Sequence, residues 1–280
     1  TVLWVLNPAL LLSFVGNAHN DALMIAVLLA GWFVINLGYR GPGFLLLLTA
    51  SLFKPIALLA APIVFISSWG ELKHLGERIV FLLWAFLGGA LLLVLSFLPF
   101  GDPLPLILRL LREASLGASF SPLTLVILVA RVLGFTVSIN SVALFATVLF
   151  LSLYVLALWR TWRGKTAEQN LAVLFWGYVF QALNFRIWYA SWPFPWLLLD
   201  AYGGDKRVTR RLHAGLWFLV TSQLSVIIYG HFRDTFLAGS QFIAHFIGVP
   251  FVFLLPIVLA WLTSRDHDAA GNEDHQPVAC

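Results

Sequence analysis

The stretch GFLLLLTASLFKPIALLAAPIVFISS, Gly43 to Ser68, decides how this chain is built. It is apolar apart from Lys54 and a few hydroxyls, and its length of about 25 residues is enough for one helical crossing of the bilayer. One crossing would separate Arg40, just before it, from Lys73 and Arg78, just after it. Both flanks are basic, and basic loops stay on the cytoplasmic side. A re-entrant hairpin removes the conflict: a short helix rises from Pro42, turns at Lys54-Pro55, and a second helix descends to Ser68. Proline disfavours helix at the residue before it, so the turn has a mechanism. Limbs of ~11 and ~14 residues reach only about 16 and 21 Å, and Lys54 is then expected below the outer surface in a protein-lined hollow. The alternative is one tilted helix with a proline kink and a snorkelling lysine.

Outward from that hairpin the rest of the chain reads the same way. Hydrophobic residues make up 60% of the 280, charged residues only 11%, and the mean hydropathy is +0.90. No ordinary soluble domain has that balance, so lipid is the solvent. Backbone amides in lipid must be satisfied internally, which leaves helices or closed barrels, and runs that are continuous rather than alternating select helices. The expected fold is therefore all-α: a polytopic bundle of about 9–10 membrane segments, forming one transmembrane domain over 1–263 with a disordered cytoplasmic tail over 264–280. The net charge of +4 comes from short basic clusters between apolar runs, which are topology signals rather than a nucleic-acid surface. The stretch 122–135 is too short to cross without breaking the parity of the basic loops, and is expected to lie at the interface or partly inserted. Cys280 is the only cysteine, so there is neither a disulfide framework nor a cysteine metal site. The chain opens at Thr1 without an initiator Met and is apolar from Val2, and segments preceding it are expected.

With the hairpin in place, the polar groups of chemical interest fall on the external side. Asn17, His19, Asn20 and Asp21 lie together between two strongly apolar runs. Such groups are costly in lipid, which makes function the first hypothesis. Asp21 suits a general base or a metal ligand, and His19 a proton donor or substrate-orienting group. The plainer alternative is a helix N-cap, with Asn20 or Asp21 bonding the free amides of the helix that begins at Ala22. Lys54 is a buried cation in want of an anion, which a lipid-linked phosphate from the outer leaflet supplies. Arg186 offers a planar fork for phosphate, while Trp188, Tyr189 and Trp192 offer flat faces for a sugar ring or isoprenoid; aromatic belts also occur at membrane interfaces without any ligand. His231 and Arg233 complete the substrate-binding candidates. The chain carries no Walker-type phosphate loop, dinucleotide glycine fingerprint or HExxH metalloprotease motif, which disfavours nucleotide-driven chemistry.

The order NPALLLSFVGNAHNDALM, then SLFKPIALLAAPIV, then LPFGDP, then FRIWYASWPFPWLLL resembles the polyprenol-phosphate-mannose-dependent mannosyltransferases of the C-type membrane glycosyltransferase superfamily. The resemblance implies a multi-helix plasma-membrane enzyme, in a bacterium that of the inner membrane. Such an enzyme takes a sugar, mannose first, from a polyprenyl-phosphate donor and transfers it to a glycan or glycolipid acceptor on the extracytoplasmic face. Its partners are then the lipid-linked sugar, the acceptor and membrane lipid, with no nucleic acid. The resemblance fixes no cofactor and leaves a divalent metal open. The superfamily usually carries its key acid in the first large external loop, a region expected to lie before Thr1. Asp21 is then a fallback for the catalytic base, with Lys54 and Arg186 stabilising the departing phosphate. A transporter or lipid flippase would also have intramembrane polar groups and broken helices. Against it stand the absence of a repeat between the two halves and the gathering of polar residues at one face. A purely structural subunit would tolerate alanine at these positions.

Overall fold

The computed structural model describes residues 20–102, 104–105, 108–109, 119–201 and 206–273, and every regular element among them is helical. Among the described residues, four helices are long and apolar enough to cross a membrane: Leu75–Phe100, Ile139–Trp162, Arg210–Phe236 and Gln241–Ser264. Shorter apolar helices cover Asp21–Asn36, Arg40–Phe53, Pro55–Glu71 and Pro122–Val132. The last of these, opened by Ser121 accepting a hydrogen bond from the Thr124 amide at 3.1 Å, is 11 residues long. At 1.5 Å per residue it reaches only about 17 Å, roughly half a bilayer core. The final helix continues past Ser264 to Glu273, beyond the point where the sequence turns polar.

The chain divides into two compact units that interleave in sequence. The hairpin unit comprises the described residues within Leu12–Gly117 and Ser152–Leu171; the other takes those within Ala118–Leu151 and Ala172–Cys280.

In the hairpin unit, α1 (Asp21–Asn36) and α2 (Arg40–Phe53) are joined by a turn in which Gly38 takes φ +95°. After Lys54, a 3₁₀ turn (Pro55–Leu59) leads into α3 (Ala60–Glu71). The expected reversal is present. Arg40 donates to Glu71 at 2.8 Å, although 31 residues separate them and a continuous helix would hold them about 46 Å apart. Phe44 packs edge-on against Phe65, ring centroids 5.9 Å apart, so the limbs face each other along their length. Both limbs are longer than expected. The first begins at Arg40 because Pro42 is tolerated within a first helical turn, where amide hydrogens have no intrahelical partner, and the second runs on to Glu71.

Glycine allows α1 and α2 to meet backbone to backbone. A Cβ on Gly31 would lie 2.7 Å from the Leu47 nitrogen and 2.8 Å from the Gly43 oxygen, and one on Gly43 would lie 2.7 Å from the Ile35 nitrogen and 2.8 Å from the Gly31 oxygen. Close approach through small residues is how helices gain contact in lipid, where apolar side chains gain little by leaving the solvent. Gly31→Leu is therefore expected to force the two helices apart and cost at least about 1–3 kcal/mol; a lowered melting temperature in detergent checks this, and an unchanged one contradicts the packing. Around this contact Met24, Leu47, Ala57, Ala60 and Ile63 are wholly buried, and Tyr154 of the Ile139–Trp162 helix donates to the Leu59 carbonyl at 3.0 Å.

The next helix, α4 (Leu75–Phe100), is strongly apolar and almost wholly exposed over a membrane-length stretch. An apolar helix this exposed is stable only against hydrocarbon. The chain is thus an integral membrane protein of helical, multi-segment design.

The second unit is built around aromatic rings. Phe185, Phe218 and Phe253 meet at centroid separations of 5.0–5.8 Å, and Phe175 stacks on Trp196 at 6.4 Å. Wide π-helical turns at Val226–Phe232 and Pro250–Leu254 interrupt its two long helices.

Candidate functional site: a buried ion pair at the hairpin tip

Lys54 has an extended backbone, φ −151° and ψ 124°, as the residue before a proline should. The turn at Gly38 sends α2 back antiparallel to α1, which sets the end of α2 beside the start of α1. Lys54 Nζ lies 2.5 Å from Asp21 Oδ2, and Asn20 Nδ2 donates to the Phe53 carbonyl at 3.2 Å. Each charge also suits its own helix: Asp21 is the first residue of α1, where the macrodipole is positive, and Lys54 caps the negative end of α2. The pair is sheltered unequally. The Asp21 side chain has no exposure, whereas that of Lys54 retains 24%. Lys54 is therefore the more accessible member of the pair.

Asn20 does not cap α1 through its side chain. Asn20 has helical angles and no side-chain cap bond, its amide being directed across to α2. Asn17 and His19 lie outside the described residues. Among the described residues, no group of three or more His, Cys, Asp or Glu side chains is placed to hold a metal ion.

The other candidates belong to the second unit. Arg186 is exposed, with extended angles, and precedes a 3₁₀ turn spanning Ile187–Ser191. Trp188 and Tyr189 are half-buried. Trp192 is 3% exposed, stacked on Tyr189 at 4.1 Å and against Tyr178 at 5.7 Å, so its visible work is packing. Trp192→Ala is expected to cost about 3–5 kcal/mol of stability, whereas Arg186→Gln, at the surface, should leave the melting temperature where it was; paired thermal melts check both. His231 is exposed. Arg233 forks onto Asp234 at 2.9 and 3.3 Å and lies 4.6 Å over the Tyr229 ring.

A polar residue that the sequence reading passed over is His245. It is wholly buried, with Nδ1 2.7 Å from the Gln241 carbonyl and Nε2 3.3 Å from the Ser119 carbonyl, between the rings of Phe120 and Tyr229. Its only signal was a histidine inside the apolar run 241–263.

Residues 1–70, which contain both members of the Asp21–Lys54 pair, match a family model described as the N-terminal domain of alpha-(1->6)-mannopyranosyltransferases. The N-terminal quarter of this chain is mannosyltransferase-like. Alpha-(1->6)-mannopyranosyltransferase A of Mycobacterium tuberculosis (strain ATCC 25618 / H37Rv) is 36% identical over 80 residues, 28% of this chain and 15% of that protein. The matched stretch thus spans about one-seventh of that relative's length. No solved structure matches the chain. The mannosyltransferase-like quarter therefore takes in α1, α2 and most of α3, and with them both members of the ion pair.

Proposed function

We propose that this chain is part of a membrane glycosyltransferase that moves mannose from a polyprenyl-phosphate donor to a glycan or glycolipid acceptor on the extracytoplasmic face. The observation that carries the reading is the Lys54–Asp21 pair at the tip of a hairpin within the mannosyltransferase-like residues. A half-sheltered ammonium among apolar helices suits a phosphate attached to a hydrocarbon chain, because one end of the ligand needs charge and the other needs lipid.

In the reaction, an acceptor hydroxyl oxygen attacks the anomeric carbon of the sugar and forms the new C–O bond. A carboxylate takes the hydroxyl proton. The bond from the anomeric carbon to the phosphate oxygen breaks, and its electron pair stays on that oxygen. Negative charge grows on the phosphate as the bond lengthens, and Lys54 is the group proposed to meet it. Asp21, tied to Lys54 and wholly buried, serves first as the counter-ion that aims the ammonium. It becomes available as a base only when the incoming phosphate draws Lys54 away. Arg186, in the other unit, is kept as the alternative phosphate-binding candidate for its exposure and planar fork.

Membranes containing the full-length protein, supplied with radiolabelled polyprenyl-phosphate-mannose or with nucleotide-linked mannose, test the donor. Label should pass to membrane glycolipid or glycan from the polyprenyl-linked sugar alone. Transfer only from the nucleotide sugar would overturn the donor assignment, and an absence of transfer from either would turn the reading towards a transporter.

A further inference from the structure

The opposite end of the hairpin unit holds a cavity that the proposed reaction does not use. It measures about 680 Å³, and its walls include Trp32, Asn36, Glu71, Arg78, Thr161 and Lys165. Beside it lies a wholly apolar compartment of about 260 Å³, walled by Phe65, Ile66, Trp69, Leu82, Phe86 and Trp162. Ile66, Trp69 and Trp162 border both spaces, so a polar chamber and an oily one share a wall of two indoles and an isoleucine. A water-soluble metabolite has no use for the second chamber, whereas a lipid fills both. The apolar side opens onto α4, where Phe86 is 67% exposed on a helix that faces hydrocarbon.

We infer that this paired cavity binds one acidic phospholipid of the leaflet facing the basic loops, with its phosphate beside Arg78 and Lys165 and an acyl chain against Phe65, Leu82 and Phe86. The cations are set for the task. Arg78 donates Nε to the Leu72 carbonyl at 3.1 Å and lies 5.1 Å over the Trp69 ring, which fixes the guanidinium while leaving its terminal nitrogens without a hydrogen bond among the described residues. Lys165 follows Gly164, whose φ of +84° turns the chain at the end of the Ile139–Trp162 helix; its ammonium is likewise unbonded among the described residues. Of the acids in the wall, Glu71 is engaged by Arg40, and Glu168 lines the cavity with it. With Arg40 counted, three cations face two carboxylates, a balance that favours an anion without demanding a highly charged one. Indoles at the boundary suit a glycerol backbone, since they are apolar in body and polar at the N–H. Basic loops face the leaflet in which anionic lipid gathers, and each cation near that surface adds to the attraction.

Native mass spectrometry of the full-length protein released from detergent tests this, with phosphatidylglycerol, phosphatidylcholine and polyprenyl phosphate offered at equal concentration. One phosphatidylglycerol should be retained in preference to either other lipid. Lys165→Glu, at an exposed position, should weaken that retention by about tenfold without changing the melting temperature of the delipidated protein. Leu82→Trp, which narrows the apolar chamber, should weaken it as well. Equal retention of phosphatidylcholine, undiminished phosphatidylglycerol binding in Lys165→Glu, or a preference for polyprenyl phosphate would each overturn the assignment.

Discussion

A Lys54→Ala variant of the full-length protein is expected to lose mannosyl transfer by about 10²–10³-fold, the usual cost of removing one group that stabilises charge developing in a transition state. It should also be the least stable of the single variants at the pair. Asp21 has no exposure, so removing its partner strands a carboxylate away from water, a loss of about 3–5 kcal/mol when a buried pair is broken from one side. Asp21→Asn leaves the charge on Lys54, whose side chain is 24% exposed and can turn towards solvent. Its stability loss should therefore be smaller. Its activity should fall by about 10²-fold, as befits a group that aims another rather than one that meets the phosphate. Thermal melts alongside initial rates separate the two variants.

The second large effect is in the double variant Asp21→Asn, Lys54→Met. Replacing both members of a buried pair by neutral groups of similar size is often neutral or stabilising, so the melting temperature should return to near that of the native protein. Transfer should not return. Stability regained without activity marks the pair as chemistry rather than scaffolding. Activity regained together with stability would mean that the pair only holds α1 against α2, and that the phosphate is met elsewhere.

Much of the fold was legible because lipid imposes a simple rule on sequence: long apolar runs are helices and basic residues mark one side. The hairpin followed from two conflicting basic flanks, Arg40 and Lys73 with Arg78, and from the proline after Lys54; the Arg40–Glu71 bridge is the structural form of that parity argument. The limb lengths were less legible, because a proline inside a first turn and one that precedes it look alike in sequence. The contact between Gly31 and Gly43 carries no hydropathy signal at all, since it depends on what is missing from each side chain.

The site was legible in its members and not in its geometry. Asp21 and Lys54 stood out separately, each as a charge too costly to leave in lipid without a purpose. Both were assigned to the same face, yet the residues 33 apart in sequence were given separate tasks, one awaiting a proton and the other a phosphate. Their union could have been anticipated from opposite charge and common depth, because an anion within reach costs less than one that must arrive. Trp192 shows the reverse difficulty. An aromatic beside a helix end reads as a ligand platform, and only packing against Tyr178 and Tyr189 reveals that its faces are already covered. His245 was hidden for a related reason: its partners are backbone carbonyls, which every residue possesses and no sequence pattern marks.

The proposed role of the pair is tested by transfer from radiolabelled polyprenyl-phosphate-mannose in membranes holding the native protein, Lys54→Ala or Asp21→Asn at matched expression. The expected result is clear transfer by the native protein, a loss of orders of magnitude in Lys54→Ala and a smaller but large loss in Asp21→Asn. Native rates in both variants would contradict it.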